Sequence, residues 1–162
     1  MAVTAFLKLK GQKQGDINGS VTQAGRQNSI LVHSYNHEIV TAIVPSTGAL
    51  QGRRIHRPLI LVKDIDRSTP LLRSALATNE VLTVFQLGFV EPGAAGTVRE
   101  FFTIALTNAR VASIKATMAD NQDPAVANLS LREEVAFVYE KIQWTWVDGG
   151  ITSQDDFSGA AA

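Results

Sequence analysis

The chain has 162 residues, 45% of them hydrophobic, and its 15 Lys plus Arg balance its 15 Asp plus Glu. That length suits one domain with a sizeable core, the apolar content excludes global disorder, and the zero formal charge offers no general attraction to nucleic acid or anionic lipid. With no cysteine, disulfides, thiolate metal sites and a cysteine nucleophile are excluded as well.

The opening "MAVTAFLKLKGQ" has one short apolar run, followed by Lys8 and Lys10. It is shorter than the core of a secretory signal, and no small-residue cleavage pattern follows. No segment approaches the roughly 20 apolar residues of a membrane span. Synthesis in the cytoplasm, with any export by a route that needs no Sec signal, is the expectation.

From residue 5 onward the chain reads mostly as strands. The expected runs are 5–10, 17–23, 29–44 with a break near Asn36, 57–65, 80–89, 99–118 and 131–147, where Val, Ile, Phe, Tyr, Trp and Thr dominate. The stretches "GDINGS", "PSTGALQG", "EPGAAG", "DNQDP" and "DGG" punctuate them as turns or loops. Within 29–44, His33 and His37 are four apart, but that is ligand spacing on a helix, and on a strand the two lie too far apart for one metal. "GRRIHRP" is the one basic cluster; its Arg53 and Arg57 project opposite to Arg54 and His56, and no aromatic residue that could stack a base stands beside it. Pairing with acids of a neighbouring strand or subunit is expected for it, and nucleic acid is not.

The stretch "KDIDRSTPLLRSAL" breaks the strand pattern. Ser68 or Thr69 is placed to cap a helix, Pro70 sits where its missing N–H costs nothing, and Leu71, Leu72, Ala75 and Leu76 supply an apolar face. One helix, Thr69–Thr78, is expected. Asp64 and Asp66 precede it, and with only Lys63 and Arg67 nearby they read as acids that favour the helix start, where N–H groups are exposed, rather than as a catalytic pair.

The later strands are apolar on both faces. Val81, Thr83, Phe85, Leu87 and Phe89 alternate, yet Leu82 and Val84 on the other side are apolar too. In 131–147, Val135, Phe137 and Tyr139 share one face and Ile142, Trp144 and Trp146 the opposite one, so the buried side switches near Glu140 and Lys141, by a bulge or by passage from one sheet to another. One short helix cannot cover so much apolar surface, and copies of the chain are expected to bury it for each other. No Gly-x-Ser-x-Gly elbow, P-loop or calcium-loop spacing occurs, and the sequons at Asn18 and Asn128 mean nothing without secretory targeting.

Four stretches together carry a resemblance: "FLKLKG", "STGALQGRRIHRP", "KDIDRSTPLLRSA" and "YEKIQWTWVDGGITSQDD". The chain resembles the Hcp (hemolysin-coregulated protein) family, the tube proteins of bacterial type VI secretion. It departs in having Phe157 where relatives often carry Trp, and in a reworked segment around Gly11 to Gly15. The resemblance implies a mainly β fold, a small β-barrel or two-sheet sandwich with one flanking helix, spanning residues 1–157 with a tail at 158–162. It implies stacked six-membered rings, effector cargo in the lumen, and sheath and spike partners. It also implies secretion from the bacterial cytoplasm without a signal peptide, no enzymatic activity and no cofactor, metal, nucleic acid or direct membrane insertion. Pro45, Ser46, Thr47, Gly48, Ala49, Leu50, Gln51 and Gly52 match the loop that reaches toward the next ring. Tyr139, Lys141, Ile142, Trp144 and Trp146 match a terminal motif read as core and interface packing. Enzymatic relatives carry long C-terminal extensions, for which Ser158 to Ala162 leave no room. A phage-type tail tube subunit and a small ligand-binding barrel are the alternatives.

Overall fold

In the computed structural model, residues 2–156 are described, so the expected tail and Phe157 lie outside the described residues. The elements run β1 (Thr4–Gly11), β2 (Gly15–Ile17), β3 (Ile30–Asn36), β4 (Ile39–Ile43), β5 (Leu50–His56), β6 (Leu59–Asp64), α1 (Thr69–Thr78), β7 (Leu82–Pro92), a 3-10 turn (Ala94–Gly96), β8 (Val98–Thr107), β9 (Arg110–Thr117), β10 (Arg132–Val138), β11 (Lys141–Trp146) and β12 (Ile151–Asp156). The fold is mainly β with one α-helix. The expected barrel or pair of sheets takes the form of one 10-stranded antiparallel sheet, order β12-β11-β8-β7-β1-β3-β6-β10-β9 with β2 beside β1, plus the separate hairpin β4-β5. Among the described residues the hydrogen-bonded path does not close, and β9 and β12 end it.

What curls this sheet is a long bent hairpin. β9 pairs with β10 from Arg132↔Thr117 to Val138↔Arg110, and β8 pairs with β11 from Lys141↔Thr107 to Trp146↔Phe102. The two strands bend together at Asn108, left-handed at φ 52°, and opposite it at residues 139–140. The halves of one hairpin thus lie at opposite ends of the path, which forces the sheet to wrap around one core. The switch of buried side near Glu140 is this corner: the chain leaves one end of the sheet and enters the other.

The interior is a single cluster that includes Leu7, Leu9, Ile30, Leu61, Leu72, Phe85, Leu87, Ile104, Val135, Phe137 and Ile142. The two-sided character of β7 has a local cause. Lys10 faces Val84 but Gly11 faces Leu82, so Thr83 bulges out and both Leu82 and Phe85 point inward. Val84, 41% exposed, is left on the outside.

The helix forms for reasons written in its sequence. Pro70 occupies the first turn, and Asn79 closes the C-terminus at φ 54°, donating its N–H to Ala75 and Leu76 carbonyls. Leu72 and Ala75 are buried, whereas Leu76 is half exposed. Ser68 is the N-cap but its hydroxyl caps no helical N–H; instead Asp66 Oδ1 accepts the Ser68 N–H at 2.9 Å and the Ser68 hydroxyl as well.

Three expectations are corrected. Of residues 17–23 only the first is strand, because the segment that follows is tied into turns by Gly19 N–H to Asn28 O and Asn28 N–H to Val21 O. Leu50, Gln51 and Gly52, expected in a loop, begin β5, so the turn of that hairpin is confined to its tip. Residues 151–156, assigned to no strand from the sequence, form β12, paired in register with β11 from Lys141↔Asp156 to Trp146↔Ile151.

Candidate functional site

The hairpin β4-β5 stands apart from the main sheet, and among the described residues its strands pair with each other alone. Ile39 pairs with His56, Val40 with Ile55, Thr41 with Arg54, and after a register shift Ala42 with Gln51 and Ile43 with Leu50. Gly52, at φ 79°, absorbs the shift, a conformation that costs a side-chain-bearing residue but not glycine. Near the tip Ile43 is 58% and Leu50 72% exposed, and on the other face Ile55 is 53% exposed. Isolated two-stranded ribbons are marginal in water, so an apolar one that projects needs something to lie against.

At its base the hairpin is tied to the body by a polar cluster. Arg54 reaches Asp155 on β12 through Nε at 2.6 Å and an Nη at 2.5 Å. His56, on the same face of β5, contacts Asp155 Oδ2 at 2.7 Å through Nε2 and the Tyr139 hydroxyl at 2.9 Å through Nδ1. His37, in the β3–β4 link, meets that hydroxyl at 2.5 Å. The Arg54 fork, partly opposed by burial and helped by His56, holds the Asp155 carboxyl down at about 2. Burial, with smaller contributions from Tyr35 and Asp155, pushes the Tyr139 hydroxyl well above the usual phenol value. Burial and then His56 lower the proton affinity of His37. Arg57, at the hairpin's exit, pairs with Glu38 at 3.4 Å in the open.

The expected site residues therefore separate. Tyr139 is the buried hub of this cluster at the β10–β11 corner. Ile142 is fully buried, Trp144 packs against the core from a partly buried position, and Trp146 lies outside, edge-on to Phe101 at 5.9 Å between centroids. Lys141 faces Thr107 on one side and Asp156 on the other. Pro45, Ser46, Thr47, Gly48 and Ala49 form the hairpin's tip, with Gly48 and Ala49 backbone groups bonded to Val44.

Asp64 and Asp66, expected as a pair at the helix start, part company. Asp66 belongs there, held by Ser68 and by Lys63 Nζ at 3.0 Å. Asp64 ends β6 and turns to His33 at 2.9 Å, to Ser130 and to Arg132 at 3.7 Å. The carboxylate stands between the histidine and the serine, so no imidazole is placed to take the Ser130 proton, as a hydrolase would need. Lys63 itself is buried beside Glu133, at 2.6 Å. Among the described residues no group of three or more His, Asp or Glu could hold a metal. No described helix is long and apolar enough to cross a membrane.

The expected pairing of the basic cluster with acids of a neighbouring strand is found in Arg54 and His56, which share one face and meet Asp155 on β12. Sequence reasoning missed which acid that is, and that Tyr139 and His37 join the cluster.

Residues 6–146 match the family model described as "Type VI secretion system effector, Hcp". The chain is 33% identical over 171 residues to the major exported protein of Pseudomonas aeruginosa, covering 100% of this chain and 99% of that one. Among solved structures it is similar to Hcp1 of the E. coli EAEC 042 pathovar, at 33% identity, TM-score 0.86 and coverage of 96% and 99%. It is also similar to the secreted protein Hcp3 of Pseudomonas aeruginosa, at 29% identity, TM-score 0.76 and coverage of 96% and 98%. Matched across nearly its whole length in sequence and in fold, the chain belongs to the Hcp family of type VI secretion proteins.

Proposed function

We propose that the chain is a structural subunit of the type VI inner tube, closing into six-membered rings that stack and carry effectors in their lumen, and that it has no enzymatic activity of its own. The observation that carries this reading is the β4-β5 hairpin, which extends Ile43, Leu50 and Ile55 into solvent and, among the described residues, forms a backbone ladder with no other strand. Two open sheet edges, β9 and β12, and outward apolar residues such as Val84, Val138 and Trp146 add surface that neighbouring copies would shelter. A heterologous contact closes into a ring when the rotation between copies permits. In this reading the hairpin tip, Pro45 to Ala49 with Leu50, Gln51 and Gly52, reaches the adjacent ring, and Trp146 packs between subunits. Residues 1–157 act as one domain and 158–162 as a tail. Before firing the protein resides in the bacterial cytoplasm, with sheath, spike and effector proteins as partners, and it leaves without a signal peptide.

Native mass spectrometry tests the reading directly. A closed species near six times 17.5 kDa is expected. A monomer at micromolar concentration refutes it.

A further inference from the structure

The hairpin β4-β5 prolongs the β3-β6 pair beyond one of its ends. That ladder finishes at Asn36↔Ile60, the Arg57 N–H then donates to the Glu38 carbonyl, and Ile39↔His56 opens the next ladder. The tip, residues 45–49, therefore lies past the Asn36 end of β3, whereas Leu31 and the Asp64 end of β6 stand at the opposite end. At about 3.3 Å per residue, Leu31 is about 17 Å along the strand from Asn36, and the run from Asn36 to Val44 adds roughly 25 Å.

At that opposite end opens a groove of about 580 Å³. Phe6 of β1, Val21 in the segment after β2, Leu31 of β3 and Ile65 just after β6 give it apolar walls, all half-buried. Asp64 and Asp66 line it too, and among the described residues no lysine or arginine does. The groove is out of reach of its own chain's tip. That tip has the complementary character. Ile43 and Leu50 are cross-strand partners, both more than half exposed, and the ribbon from Ile39 to Arg57 holds Arg53, Arg54 and Arg57 but no acid. Asp64 and Asp66 have His33 and Lys63 as partners, and Arg54 and Arg57 have Asp155 and Glu38, so the opposite charges orient an approach while the apolar contact holds it.

From this placement we infer that the groove of Phe6, Val21, Leu31 and Ile65 receives Ile43 and Leu50 of a second copy in the next ring, so that rings stack head to tail with every hairpin pointing the same way. A tip and a groove at opposite ends of one body make a heterologous contact, and such a contact repeats without closing, as a growing tube requires. Head-to-head stacking would set tip against tip and leave each groove unfilled. The presence of a second ring rests on the tube reading; the match of tip and groove does not.

Because the chain has no cysteine, Val21→Cys with Leu50→Cys in the full-length protein offers one defined pair to a short bis-maleimide. Linked species beyond six subunits are expected from the double variant and from neither single variant. Links that stop at six put the tip on a neighbour within the same ring, links in Leu50→Cys alone put tip against tip, and filaments without links put the tip elsewhere. Each of those results overturns the groove as receptor and leaves the tube reading standing. Wild-type protein that forms no ring by native mass spectrometry refutes the tube reading and the docking with it. A charge pair gives a second measurement that needs no linker. Leu50→Asp and Val21→Arg should each keep rings and shorten filaments in electron micrographs, and combining them should restore length. A double variant with filaments shorter than those of either single variant overturns the docking.

Discussion

Replacing Glu133 by alanine should destabilise the fold more than almost any other single change of a polar side chain. Glu133 is completely buried and Lys63 nearly so, at 0% and 2% side-chain exposure, and their charged atoms are 2.6 Å apart. Glu133 also accepts from Thr69 at 2.8 Å and from Arg73 at 3.3 Å, so the second carboxylate of the group, Asp66, and the two cations leave it electrically balanced. Removing one member of a buried pair strands the other charge, at a cost of about 3–5 kcal/mol. Lys63 keeps Asp66 at 3.0 Å and the Asp64 carbonyl at 2.9 Å, which places the expected loss for Glu133→Ala near the lower end, about 3 kcal/mol. The double change Lys63→Met with Glu133→Leu removes both charges and fills the space, so it should recover most of that loss. Urea unfolding at one fixed protein concentration measures both, with the midpoint shifting and the slope unchanged. A loss below about 1 kcal/mol for Glu133→Ala, or a double variant less stable than the single one, would refute the assignment of this pair as a mutually dependent buried unit.

The remaining predictions concern the outer surface and the hairpin. Because Arg54 holds Asp155 at about 2, below the ordinary 3.8, the stability this carboxylate contributes is complete above the higher value and lost as the pH falls toward the lower. Asp155→Asn should flatten that limb of an acid-unfolding curve, and an unchanged limb would count against the pairing. Ile142→Ala empties a fully buried position and should cost about 2–5 kcal/mol, whereas Trp146→Ala should change subunit stability far less and weaken ring assembly instead. Thermal unfolding and light scattering separate the two effects. Deleting Leu50 to Gly52 should leave rings intact and shorten their stacks in electron micrographs; full-length filaments would exclude the hairpin tip from stacking.

How much of this was legible beforehand depended on the range of the interaction. The helix could be read to the residue because its signals are local: Pro70 presets the first turn and Asn79 adopts the left-handed stop. The central strands could be read because branched and aromatic runs suit a pleated, buried surface. β5 and β12 escaped for the opposite reason. They are polar or glycine-containing edge segments, almost wholly exposed, and only their partners make them strands. The change of phase at Glu140 was visible as a pattern, yet two mechanisms fitted it, and the matching bend at Asn108 on the paired strand identified the corner.

By itself, then, the sequence determined the mainly β character, the helix, the family and the surplus of apolar surface, all of which follow from the residue types present and their spacing along a few turns or strands. The tertiary structure decided which of two neighbouring aspartates starts the helix and which pairs with His33. It also decided that Arg54 would find Asp155, 101 residues away. Those outcomes depend on register and on how strands meet in space, and a side chain separated from its partner by most of the chain carries no local mark of where it will be met.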